Sequence, residues 1–349
     1  MPEVREQPDI GRRVDRVLRE FVDEESVALL DIGVELTPVV EQLRHTMAAG
    51  KRLRAAFCYW GWRACGQPDS DAMVRAAAAM ELVHAAAVVH DDLIDDSATR
   101  RGAPTAHVAL RDAVGGHHRS TDARALAMLV GDLLMSWAGE LFTTCGLPAA
   151  YLARARPLWA TLARELVAGE CLEILRARQP ACPTSSLEII RYKTAKYTVE
   201  HPLHIGARLG GAPARLLDVF SAYGVPLGEA FQLRDDLLGV FGDPRQTGKS
   251  NTDDLVGAKP TALLALTLAG ATPAERTVLR EILGRRDLGS ADFDRAREIM
   301  QRSGAPARVE GMISERVEAA TAALRRIPLP PAAGQALSTL VTAAVSRAA

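Results

Sequence analysis

An all-α fold is what this sequence predicts, and three observations carry the prediction. Apolar residues recur at spacings of three and four, no stretch alternates with period two, and aromatics make up only 5% of the 349 residues. Such spacing lines apolar side chains along one helical face, and few aromatics argue against β packing. Apolar residues reach 48% and charged residues 24%, a globular balance with length enough for a sizeable core. With no internal repeat and no disordered linker, residues 1–349 read as one all-helical domain. The net charge of −1 supplies no general basic field, so nucleic acid is not expected as a partner. Five cysteines (Cys58, Cys65, Cys145, Cys171, Cys182) without a C-x-x-C pair read as reduced thiols of a cytoplasmic protein. The charged start has no apolar signal-peptide core. The longest apolar run, Ala76 to Val89, is interrupted by Glu81 and His84, which suits a buried helix better than a membrane span.

The elements follow in order. Val14, Val17, Leu18 and Phe21, then Val34, Leu36, Val39 and Leu43, mark two helices between 11 and 48. Gly50 breaks the pattern, and Lys51, Arg52 and Arg54 stand at the start of the next apolar helix, where backbone N–H groups also favour anions. A helix from Ala76 to Asp96 carries Asp91, Asp92, Asp95 and Asp96, closed by Arg100 and Arg101. Arg111 to Arg124, with Gly115-Gly116 and the surface pair His117-His118, reads as a loop. Further helices hold Asp132, Ser136 and Glu140, then Glu165, Glu170 and Glu173. After the Pro180–Pro183 break, one continuous helix carries Lys193, Thr194 and Lys196, with Pro202 set to kink or restart it. The helix from Ala214 to Val240 repeats the acidic pair as Asp235-Asp236, with Gln232 one turn earlier. Gly239 stands where a third Asp would complete the copy. A loop from Gly242 to Gly257 bears Lys249 and Asp253-Asp254, and Lys259-Pro260 opens another helix. Three or four ordinary helices complete the chain.

Carboxylates crowded at i, i+3 and i+4 repel one another, so the cluster at Asp91 makes sense if hard cations bind it. Oxygen ligands suit Mg²⁺, which commonly joins protein carboxylates to phosphate oxygens. Two such helices facing each other, ringed by Lys and Arg, fit a diphosphate. Cations that pull on a diphosphate ester turn it into a leaving group. The alanine-rich helix would line an apolar tunnel for a hydrocarbon tail.

These residues resemble the trans-isoprenyl diphosphate synthases, or polyprenyl synthetases, and most of all the actinobacterial geranylgeranyl and farnesyl diphosphate synthases. Five motifs occur in that family's order over roughly Gly50 to Thr261: GKRLR, HDDLIDDSATRRG, KTA, FQLRDD, and TGK followed by DD. The resemblance implies a helical bundle around a central cavity, acting as a homodimer. It implies condensation of isopentenyl diphosphate with C5 to C15 allylic diphosphates. Three Mg²⁺ per active site, with Mn²⁺ as a substitute, would sit on Asp91, Asp92, Asp95, Asp235 and Asp236. Arg100, Lys193, Lys249 and Lys259 would grip the allylic diphosphate, and Lys51, Arg54, His84 and Arg101 isopentenyl diphosphate. Thr194 and Gln232, with Lys193, would support the reacting carbons, and Asp96 would stand behind the ligands. Glu170 replaces a glutamine usual in the family, and Gly239 removes a ligand.

Product length is read from the helix before Asp91. Ala86 and Ala87 lie one turn away, Val83 and Met80 about 5.4 Å deeper per turn. Two alanines at the first level favour C20 geranylgeranyl diphosphate over C15 farnesyl diphosphate, with longer polyprenyl products third. A class I terpene cyclase using Asp132, Ser136 and Glu140 would leave the second Asp pair unexplained, and a non-catalytic subunit would be expected to lose its aspartates.

Overall fold

A capped, proline-free stretch starts the long helix that the first acidic motif needs. Ser70 accepts a hydrogen bond from the Met73 N–H, Asp71 occupies the first turn, and no Gly or Pro interrupts the helix before Asp95. The structure is a computed structural model that describes residues 9–48, 50–116, 120–177, 179, 181–243, 251–285 and 287–345. In chain order the helices are α1 (Ile10–Ile32), α2 (Thr37–Met47), α3 (Leu53–Ala64), α4 (Asp71–Ile94), α5 (Ala106–Ala109), α6 (Ser120–Thr143), α7 (Ala149–Arg176) and α8 (Pro183–Ile190). A π-helical segment, Arg191–Glu200, leads into α9 (His201–Leu209). Then come α10 (Ala214–Phe241), α11 (Asp253–Val256), α12 (Ala262–Gly270), α13 (Pro273–Ile282), α14 (Ser290–Arg302), α15 (Ala305–Leu324) and α16 (Pro331–Val345). Strand pairing among the described residues is limited to Thr99–Arg100 with Ala103–Pro104.

The chain forms two compact units. Unit 1 comprises Met1–Arg156, Pro202–Ala212 and Leu329–Ala336; unit 2 comprises Pro157–His201, Pro213–Pro328 and Leu337–Ala349. In unit 1, α4 packs along α6 and is flanked by α3 and α1. Leu18, Leu43, Phe57, Tyr59, Met73, Leu82, Leu134 and Leu141 are fully buried there. Burying each such side chain stabilises the fold by about 1.5–3 kcal/mol before entropy is counted. By length and composition α4 and α6 could each cross a membrane; 72% of the apolar window of α4 is buried, and 44% of that of α6. In unit 2, α10 packs against α15 and the π-helical segment. Its core joins Leu233, Leu237 and Val240 of α10 to Leu255, Leu263, Leu279, Ile299 and Val309. The Tyr223 hydroxyl donates to the Leu337 carbonyl, 2.9 Å away.

Three details differ from the sequence reading. Ser120 already belongs to α6, inside the stretch read as a loop, while His117 and His118 are outside the described residues. Helix α4 ends at Ile94, although the Asp95 N–H still bonds to the Asp91 carbonyl at 2.9 Å and keeps the i, i+4 relation. The helix expected across the KTA motif widens into i→i+5 turns from Arg191 to Glu200, with the His201 N–H on the Lys196 carbonyl. Pro202 follows at once and has no N–H to continue an α-helical ladder.

Candidate active site

In unit 1 the acidic motif already has a partner. Arg100 Nε donates to both oxygens of Asp92, at 2.7 and 3.0 Å, and a terminal nitrogen reaches Asp91 Oδ2 at 3.2 Å. Burial opposes the Arg100 charge, but Asp92, with Asp91 and Asp95, outweighs it and raises the guanidinium pKa. The small hairpin places this arginine. Arg101 (φ 54°) and Gly102 (φ 76°) are its two central residues, both left-handed as a tight two-residue hairpin turn requires. The Arg-Gly pair before Ala103 was the sequence signal for this turn. Asp96, also left-handed, pairs outward with Arg124 at 2.8 Å.

Arg54 is buried in the first turn of α3, and Lys51 is exposed beside it. The N–H of Ala55 donates to the buried Glu81 carboxylate at 2.9 Å. Glu81, read at first only as a break in an apolar run, thus caps the helix that presents Arg54. Arg52 departs from its two basic neighbours: it is buried, adopts φ 51°, and binds Asp15 at 2.7 Å and the Met47 carbonyl at 2.6 Å. Its role is structural. Burial first, then the charges of Arg54, Arg101, Arg100 and Arg52, hold the His84 pKa well below the usual histidine value. His84 is therefore neutral at neutral pH, a hydrogen-bonding group among fixed cations. On α4, His84, Ala87, Val88 and Asp91 keep accessible surface at i, i+3, i+4 and i+7, whereas Ala86, Val83 and Met80 are buried.

Unit 2 assembles a different set. Lys193 Nζ is 2.9 Å from Glu170 and also pairs with Glu173. The glutamate at 170 is thus the lysine's counter-ion. Backbone contact brings these helices together: a Cβ on Gly169 would stand 2.3 Å from the Lys193 nitrogen, and one on Gly228 2.4 Å from the Ala195 Cα. The wide π turns fit only because both neighbours lack a side chain there. Thr194 Oγ1 donates to Gln232 Oε1 at 2.9 Å, and Gln232 Nε2 donates to Asp236 Oδ1 at 2.9 Å. Asp236 Oδ2 is buried without a hydrogen-bond partner. Burial pushes the Asp236 pKa up to about 8; the Gln232 bond opposes this, and Asp254, Asp235 and Glu173 add to it. A buried carboxylate oxygen without a donor, among other carboxylates, is the donor set that a hard divalent cation fits. Lys259 Nζ lies 4.0 Å from Asp254 Oδ1. Lys249 is outside the described residues. Asp132, Ser136 and Glu140 are exposed on α6, with Asp132 3.4 Å from His90, so they converge on no enclosed site.

Buried carboxylates set beside Arg and Lys side chains are the charge pattern that a cation-bridged diphosphate fits. A model of the polyprenyl synthetase family matches residues 37–300. The chain belongs to that family, and it is a trans-prenyl diphosphate synthase, a prenyltransferase. The crystal structure of geranylgeranyl pyrophosphate synthase from Corynebacterium glutamicum, complexed with isoprenyl diphosphate and magnesium, superposes with a TM-score of 0.93. The two are 34% identical over 98% of this chain and 100% of that one. Geranylgeranyl diphosphate synthase of Saccharolobus solfataricus is 30% identical over 73% of this chain and 74% of its own. (2E,6E)-Farnesyl diphosphate synthase of Mycobacterium bovis is 33% identical over 65% of this chain and 59% of its own.

Proposed function

We propose that this chain condenses isopentenyl diphosphate head to tail (1'-4) with C5 to C15 allylic diphosphates and releases all-trans geranylgeranyl diphosphate. The observation that carries the C20 reading is the pair of alanines one turn before Asp91, with Ala87 on the accessible stripe of α4. The geranylgeranyl synthases of Corynebacterium and Saccharolobus support it. Farnesyl diphosphate is the second reading, favoured by the bulkier Val88 on the same stripe.

Mg²⁺ held by Asp91, Asp92, Asp95, Asp235 and Asp236, three ions per site with Mn²⁺ able to replace them, would neutralise the leaving diphosphate as a Lewis acid. The side chains do the rest. Arg100, Lys193, Lys249 and Lys259 bind the allylic diphosphate and keep its charge compensated as the ester bond lengthens. Lys51, Arg54, Arg101 and the neutral His84 hold isopentenyl diphosphate, whose binding then needs no metal. Thr194 gives its proton to Gln232, which leaves the hydroxyl lone pairs to face positive charge on the reacting carbons. The departing diphosphate takes the final proton, so no side-chain base is assigned.

The working assembly is a cytoplasmic homodimer. Five free thiols suit a reducing compartment, and Met128 and Leu129 on α6 give unit 1 exposed apolar surface for a second copy. Purified protein, Mg²⁺, labelled isopentenyl diphosphate and each of the C5, C10 and C15 primers test the reaction, with product length read by mass. A C20 product is expected. A C15 end point would move the product to farnesyl diphosphate, and no elongation with any primer would overturn the condensation.

A further inference from the structure

Gly239 follows Asp235 and Asp236 by four and three residues, so all three share a face of α10. The space a side chain would take there is filled. A Cβ at 239 would lie 2.5 Å from Asp254 Oδ2 and 3.4 Å from its Cγ. Asp254 comes from α11, which is pinned in place: Leu255 is buried, and its carbonyl accepts the Gly284 N–H at 3.0 Å. The Lys259 N–H closes the same turn on the Asp254 carbonyl at 3.0 Å. Facing this carboxylate on α10, Asp236 is only 6% exposed, and its Oδ2 has no hydrogen-bond partner. Asp235, Asp236 and Asp254 thus surround position 239, and Lys259 Nζ lies 4.0 Å from Asp254 Oδ1.

We propose that Asp254 supplies the carboxylate that position 239 omits, so that Asp235, Asp236 and Asp254 form one divalent-cation set, and that position 239 stays glycine to admit it. The departure from the repeated acidic motif is thus a relocation of the third carboxylate from the helix to the following loop. This rests on the reading of Asp235 and Asp236 as metal ligands. It also makes a contrary claim: adding an aspartate at 239 harms the site while Asp254 is present, because the two side chains compete for one space.

The test is Mn²⁺ binding to the full chain in the presence of inorganic diphosphate, followed by the relaxation rate of water protons. Asp254→Asn is expected to weaken Mn²⁺ about tenfold. Gly239→Ala is expected to weaken it by a similar factor of about ten although it removes no charge. Gly239→Asp alone is expected not to tighten binding, and the double variant Gly239→Asp/Asp254→Asn to return within about threefold of the parent. That recovery also shows that the single variants lose affinity without losing the fold. Unchanged binding in Asp254→Asn, or tighter binding in Gly239→Asp, overturns the proposal. Asp235→Asn separates it from the reading beneath. If Asp235→Asn loses Mn²⁺ and Asp254→Asn does not, only the role of Asp254 fails. If Asp235→Asn binds as the parent does, or the parent binds no Mn²⁺, both fail.

Discussion

The two acidic pairs are the same dipeptide in two electrostatic settings. In unit 1, Asp92 is buried against a bidentate arginine that also reaches Asp91. In unit 2, Asp236 is buried against a neutral amide and other carboxylates, with one oxygen left over. Among the described residues the first pair is held by an arginine, whereas the buried member of the second is held by an amide. Residue type alone therefore does not tell how tightly a carboxylate holds its proton or how much a metal stabilises it.

The largest test of that contrast removes each carboxylate in turn. Asp92→Ala should lower kcat/KM by 10³-fold or more, on the order of one lost pre-organised charge contact. It should also destabilise the cation-free fold by about 3 kcal/mol, because Arg100 stays behind without its partner. Asp236→Asn should lose about 10²-fold in activity yet melt higher than the parent in chelator at pH 9. Its carboxyl, with a pKa raised to about 8, otherwise ionises unfavourably in the fold as pH rises. Melting shifts of the same sign in the two variants would break the comparison. Arg100→Lys comes next. A lysine cannot make the two parallel bonds to Asp92, and kcat/KM should fall roughly tenfold to thirtyfold in initial-rate assays. Thr194→Val tests the line from Thr194 through Gln232 to Asp236, with an expected loss of about 1 kcal/mol, or fivefold to tenfold in kcat and little change in KM.

The smallest effect is one of pH. His84 has a depressed pKa in the fold, so below about pH 6.5 the unfolded chain takes up a proton that the native state refuses. Stability should fall as pH drops from 6.5 toward the native-state value, and His84→Asn should flatten that slope. Urea midpoints between pH 7 and pH 5 measure it, and parallel slopes would remove the cation ring around His84 as its cause.

Helices and motif positions were legible because they depend on local periodicity and spacing. Asp91 with Asp95, and Gln232 with Asp236, are each one turn apart on one helix, and sequence spacing captures that fully. The family's motif pattern assigned Thr194 and Gln232 to the reacting carbons, but their 2.9 Å hydrogen bond was not legible in it. What stayed hidden rests on partners distant in the chain. Arg52 is as basic as Arg54, and only its contacts with Asp15 and the Met47 carbonyl separate a structural residue from a candidate ligand-binding one. The cap from Glu81 to Ala55 and the approach of Asp254 to Gly239 likewise join segments that no local window contains. The π turns were hidden for another reason. They change the winding without changing the apolar pattern, and Pro202 was the only local hint.

That winding gives the segment from Arg191 to Glu200 a fixed count. An i→i+5 ladder holds more residues per turn than an α-helix, so deleting one residue lets the segment tighten into ordinary α turns. The flanking helices would keep their phase, while side chains inside the segment would turn to new directions. Lys193 would leave Glu170 and Thr194 would leave Gln232, while every helix kept its length. Point changes here would be graded, but a change in length would be all or none. Related chains free to vary their loops should therefore keep the spacing from the KTA motif to the following proline unaltered.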